Sequence, residues 1–202
     1  MKIIKKRTTE AVIVLMVLCS YAFHMAPVTK EISSTNNKTN ILANDSLEAN
    51  QRIISFLQWY KINLNKANNF PLLGKDSKGY YIVNKKACAD YLDYLESSRS
   101  ISTTYIGYWK RFFDDKAITL QKDKIKTDVP EGFDMDFVLI TQEPEIILNN
   151  IDSLQFTTVS LNSTMALIGV NLPSDDSVQY EFEMRKNAGI WQIDYISTPN
   201  YD

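Results

Sequence analysis

The residues with chemical reach in this chain are aromatic and acidic. Tyr60 belongs to an apolar repeat of helical spacing that runs through Ile53, Leu57 and Leu64, and Tyr105 and Trp109 lie four apart on a second helical stripe. Such side chains put an apolar body and a hydrogen-bonding tip on one face, which can either fill a core or wall a pocket that orients a ligand. If a cavity exists, the spacing places Tyr60, Tyr105 and Trp109 at its wall, between the first and third helices, with Asp136 near its mouth. Asp134 and Asp136, followed by Glu143 and Glu145, form an acid-rich segment. It lacks the glycine and the regular ligand register of a calcium loop, so no metal is expected there.

Other chemistry is narrowed by what the chain lacks. The sole histidine, His24, lies near the N-terminus, which excludes Ser-His-Asp and Cys-His catalysis from the domain and makes a zinc site a poor expectation. There is no glycine-rich phosphate loop and no nucleophile motif, so no cofactor is expected. Of the two cysteines, Cys88 falls on the apolar side of a helix and reads as a small buried hydrophobe.

Lys2, Lys5, Lys6 and Arg7 precede an apolar run from Ala11 to Leu18, and Ser20-Tyr21-Ala22 offers small residues at the two positions a signal peptidase inspects. Residues 1–22 therefore read as an export signal. Cys19 keeps a second reading open, lipidation after the apolar run, although Leu18 stands where a small residue is expected. Cleavage at Ala22 removes Lys2, Lys5, Lys6, Arg7 and Glu10 and moves the formal charge from −2 to −5. With the remaining Lys and Arg scattered among acids, nucleic acid is not an expected partner, and a membrane would be met only through a lipid on Cys19.

The elements that must position the aromatic and acidic residues follow from periodicity and caps. Residues 23–44, poor in large apolar side chains, read as a flexible linker. Asp45 with Glu48 resembles a capping box that starts helix one, which ends near Asn68 before Phe70-Pro71. Gly74 to Gly79 reads as a loop. Asn84 caps a second helix with Cys88, Tyr91, Leu92 and Leu95 inside, and a third runs from about Ser102 to Ile118 with Tyr105, Tyr108, Trp109, Phe112 and Phe113 on its inner side. A short strand is expected at Phe137–Ile140, then one or two helical turns opened by Pro144. Strands follow at Phe156–Leu161 and Met165–Leu172, and a hairpin closes the chain. In it Val178, Tyr180, Phe182 and Met184 alternate with polar residues, Asn187-Ala188-Gly189 turns, and Trp191, Ile193 and Tyr195 share a face opposite Gln192 and Asp194. Trp191 is expected to be buried against the helices.

Taken together, Ile54-Ser55-Phe56-Leu57-Gln58-Trp59-Tyr60, the Tyr/Trp-rich third helix, Asp134-x-Asp136 running to Gln142, and Gly189-x-Trp191-x-Ile193-Asp194-x-Ile196 resemble the bacterial DUF3828 group of the NTF2-like superfamily. The resemblance covers about Leu47 to Ile196. It implies an α+β cone, with about three helices packed on a curved antiparallel sheet of about four strands and a cavity at the wide end. It also implies export to the periplasm or cell envelope. In enzymes of the superfamily, carboxylates and tyrosines in the cavity shift protons on small ring ketones, for which Asp136, Tyr60 and Tyr108 are the nearest candidates here. Three functions stay open: a non-catalytic envelope domain binding a small molecule, a peptide or an envelope protein; a cone-type isomerase or hydratase using a buried carboxylate; and an immunity or inhibitor-like protein. A hollow cavity beside a buried carboxylate favours the enzyme, and a filled cone with a large exposed apolar patch favours protein binding.

Overall fold

The computed structural model describes residues 29–198, so the expected export signal, Cys19, His24 and the first residues of the expected linker lie outside the described residues. The chain is α+β. Helix α1 (Thr29–Asn68) leads into a small hairpin, β1 (Leu73–Lys75) and β2 (Tyr81–Val83). Helices α2 (Lys85–Glu96), α3 (Thr103–Asp123) and α4 (Glu145–Asn149) follow. The chain ends in β3 (Gln155–Leu161), β4 (Met165–Leu172), β5 (Asp175–Asn187) and β6 (Ile190–Ser197), an antiparallel meander in the order β3-β4-β5-β6.

Helix α1 begins at Thr29, so the polar stretch up to Asn44 is helical here and not the expected linker. No Gly or Pro interrupts residues 29–68. Asn, Ser and Thr each cost a helix only about 0.5 kcal/mol relative to Ala, which a helix anchored by its packed half can absorb. Asp45 is accordingly not a cap: it lies inside the helix, buried, where it accepts a charged hydrogen bond from Lys186 at the end of β5. The packed half carries Ala49, Ile53, Phe56, Leu57, Tyr60, Leu64 and Ala67, all buried, on one stripe of period 3.6.

The other helices start where their caps stand. The Asn84 side chain accepts from the Ala87 amide, and Ser102 Oγ accepts from the amides of Thr104 at 3.1 Å and Tyr105 at 3.2 Å. Helix α3 runs on to Asp123, ending at a left-handed Lys124 (φ 55°). Its buried face is Tyr105, Trp109, Phe113 and Leu120, with Tyr108 and Phe112 half-buried at its flanks.

The inner face of the sheet presents Ala166, Ile168, Val170 and Leu172 from β4, Val178, Tyr180, Phe182 and Met184 from β5, and Trp191, Ile193 and Ile196 from β6. Between β5 and β6 the loop is two residues, Ala188 (φ 48°) and Gly189 (φ 82°). Positive φ at both is the twist-matching geometry of a tight hairpin, and it strains Ala188 but not Gly189. Tyr195 departs from the expected face. A register irregularity at Glu183/Met184 pairs Glu183 with Tyr195 and Met184 with Ile193, so Asp194 is the extra residue. The inner face therefore passes from Ile193 to Ile196, and Tyr195 turns outward to meet Tyr108 edge-on at 4.9 Å. Asp194 is buried and accepts from Arg185 Nε at 2.6 Å.

Candidate functional site

Asp136 organises the segment between α3 and α4. Its Oδ1 accepts from the amides of Val138 at 3.0 Å and Leu139 at 2.8 Å, and its carbonyl accepts from the Ile140 amide at 2.8 Å. That is one capped helical turn, closed by Ile140 at φ 51° and by the Asp136 amide donating to Thr141 O at 2.8 Å. The expected strand at Phe137–Ile140 is thus a turn. Its apolar run marks burial from several sides, with Val138 and Leu139 both at 0% exposure, and not the face of a sheet.

The remaining carboxylate oxygen reaches α1. Tyr60 donates its hydroxyl to Asp136 Oδ2 at 2.5 Å, a latch across the domain interior. Burial pushes the Asp136 carboxyl above its ordinary range, opposed by the Tyr60 hydroxyl and the Leu139 and Val138 amides, with Glu145 adding to the rise. Burial first, then Tyr91 and Asp136, raises the Tyr60 hydroxyl far above its usual value. Tyr91 and Tyr105 are raised chiefly by burial, and Tyr180 is pushed up to about 12 by burial and the Asp136 charge. Asp136 is therefore a buried acid among phenols, with no ion-pair partner among the described residues.

Of the four residues singled out by sequence, Tyr60 and Asp136 are in direct contact. Tyr105 lies in the same buried group, its hydroxyl pKa raised by burial, a shift opposed by the neighbouring Trp109 side chain. Trp109 meets Tyr105 at 6.5 Å between ring centroids and extends the group into an aromatic cluster with Phe112 at 5.2 Å and Phe137 at 5.3 Å. Tyr60, Tyr105 and Trp109 are 0%, 1% and 4% exposed, so they are core and not the wall of an open cavity between α1 and α3. The aromatic rings are bulky enough to fill the space that their spacing left undecided.

The open space lies elsewhere. A groove of about 510 Å³ runs between the end of α1, the Phe70–Leu73 segment and the loop leading into α4. Phe70, Leu72, Phe133 and Phe137 give it apolar walls, and its ionisable lining residues are Asp134, Asp136 and Glu145, with no Lys, Arg or His. None of these three acids forms an ion pair among the described residues. Asp134 accepts from Gln142 Nε2 at 3.4 Å. The acid-rich segment was the sequence signal for this groove; Phe70 and Phe133 gave none, because residues in irregular chain carry no periodicity.

Cys88 is buried, its thiol pushed up to about 11 by burial and by Asp114, as suits an inert packing residue. Among the described residues no three His, Cys, Asp or Glu side chains converge on a metal position. The chain matches no family model, no curated protein and no solved structure.

Proposed function

We propose that this chain is a non-catalytic binding domain of the bacterial cell envelope, exported by its N-terminal segment and built as an NTF2-like cone of the DUF3828 type. Its ligand is a small molecule or peptide segment that carries a cationic group beside an apolar one. The observation that carries the reading is the groove: aromatic and aliphatic walls with three acids and no base. An ammonium or guanidinium group would find complementary charge there and phenyl faces to lie against. The basic N-terminal run and the following apolar stretch support export.

The Tyr60–Asp136 pair gives the isomerase or hydratase reading its one favourable feature, a carboxylate raised above its ordinary range among tyrosines. Against it, both Asp136 oxygens are engaged by Tyr60 and two amides, and the tyrosines beside it are packed away from any guest. Calorimetric titration separates the readings. Phenethylamine and a Phe-Arg amide should bind saturably, more weakly in Asp134→Asn and Glu145→Gln and at higher salt, while phenylacetate should not bind. Equal binding of phenylacetate, or none by either amine, would overturn the proposal.

A further inference from the structure

The two edges of the four-stranded sheet are finished differently. At the β6 edge, Ser102 N donates to Ile193 O at 2.9 Å, Ile193 N donates to Ser100 O at 2.8 Å, and Ile101 pairs with Ile193 as an added bridge. The β3 edge has no such cover: among the described residues β3 pairs with β4 alone. Soluble proteins guard such an edge with charge, proline or brevity. Strand β3, Gln155-Phe156-Thr157-Thr158-Val159-Ser160-Leu161, has seven residues, no charge and no proline. One irregularity lies at Val159, and Gln155–Thr158 keep regular register.

The neutrality extends beyond the strand. Residues 153–174 contain no Asp, Glu, Lys or Arg, in a chain that is 23% charged. The whole β3–β4 hairpin is thus free of charge, while the outward residues of β5 include Glu181 and Glu183. Beside the edge, Val159 at 57% and Met165 at 45% exposure leave apolar side chains in water, with Val159 over Gly169.

We infer that the free edge of β3 is the docking site for a second copy of this chain, the two β3 strands pairing antiparallel across a two-fold axis to join their sheets. The charge pattern selects this occupant. Two copies of a net acidic chain repel wherever their acidic surfaces meet, and the β3–β4 hairpin lets them approach with no like charges opposed. Antiparallel pairing of one strand with itself is isologous, so it closes at a dimer and satisfies the same row of backbone groups on both partners. A contact of this length lies at the small end of specific interfaces, so association in the micromolar range is expected.

Sedimentation equilibrium of the full chain tests this against Thr157→Lys and Val159→Lys, which place a charge at the paired edge and share every other surface. The wild type should be dimeric at about 100 µM, and each variant should weaken the dimer at least about tenfold with unchanged circular dichroism. Hydrogen exchange on the wild type gives a readout independent of any variant's folding: β3 amides should gain protection as concentration rises, and β1 amides should not. A wild type that stays monomeric, a dimer unaffected by both lysines, or β3 exchange indifferent to concentration would each overturn the inference.

Discussion

Asp45, on α1, and Asp136, tied to α1 by Tyr60, are buried at 5% and 7% exposure and are held by opposite means. Asp45 is met by a cation: Lys186, itself 18% exposed at the side chain, bonds it, reaches Glu48 at 3.3 Å and lies 5.5 Å over the Trp191 ring. Asp136 is met by neutral donors alone, the Tyr60 hydroxyl and two amides, and opens onto a groove whose other ionisable residues are also acids. The first arrangement is complete in itself and fastens α1 to the hairpin. In the second the buried acid has hydrogen-bond donors but no cation, and burial raises its pKa; a cation arriving from outside would be stabilised beside it and its acidic neighbours.

Substitutions at both regions should widen or close this difference. Trp191→Ala removes a 2% exposed indole from the Lys186 region and should cost about 3–5 kcal/mol in chemical denaturation. Lys186→Met leaves Asp45 buried without its cation. The loss should be about 2–4 kcal/mol, somewhat below that for a fully buried pair because the lysine is partly solvated. Tyr60→Phe keeps the ring and removes one donor from Asp136; a loss of about 1–3 kcal/mol is expected. A Tyr60→Phe cost as large as that of Lys186→Met would mean that the two regions are held alike.

The smallest change is expected from Asp136→Asn, and its sign is the informative part. The folded Asp136 pKa is raised, so between the unfolded value of about 3.9 and the higher folded value the native state holds more protons than the unfolded one. The resulting stability is fully present below the unfolded value and is lost as pH rises through the folded one. Asn can accept the two amides and offer a donor toward Tyr60, so Asp136→Asn should change stability at pH 7 by less than about 1 kcal/mol and remove that part of the pH slope. The raised Tyr60, Tyr91 and Tyr105 hydroxyls add a second loss, beginning as pH passes the unfolded tyrosine value of about 10. Denaturation curves across pH measure both.

The regular elements were legible in the sequence because local signals agreed with the packing. Asn84 caps where expected, α3 starts beside Ser102, Met165–Leu172 is β4, and Val178 to Met184 alternates as its burial requires. Failures came where tertiary context overrode a local sign. Asp45 and Glu48 read as a cap because their partner, Lys186, is 141 and 138 residues away from them. The β1–β2 hairpin has strands of only three residues, too short for a period to show around the Asp76 turn. Tyr195 and Asp194 changed faces through one irregularity that no alternation pattern reveals. At the candidate site the proximity of α1 and α3 to the sheet was readable, but the Tyr60–Asp136 contact and the filled interior depend on ring volumes and on the path of an irregular loop.

Where a cationic ligand touches the molecule is the central question, and an amide-resolved NMR titration with phenethylamine answers it most directly. The acidic groove predicts saturable shifts concentrated at Leu72, Phe133, Asp134 and Glu145, with Tyr105 and Trp109 left in place. Shifts that begin at Tyr105 and Trp109, or that spread over the acidic outer face of β5 without saturating, would contradict the account.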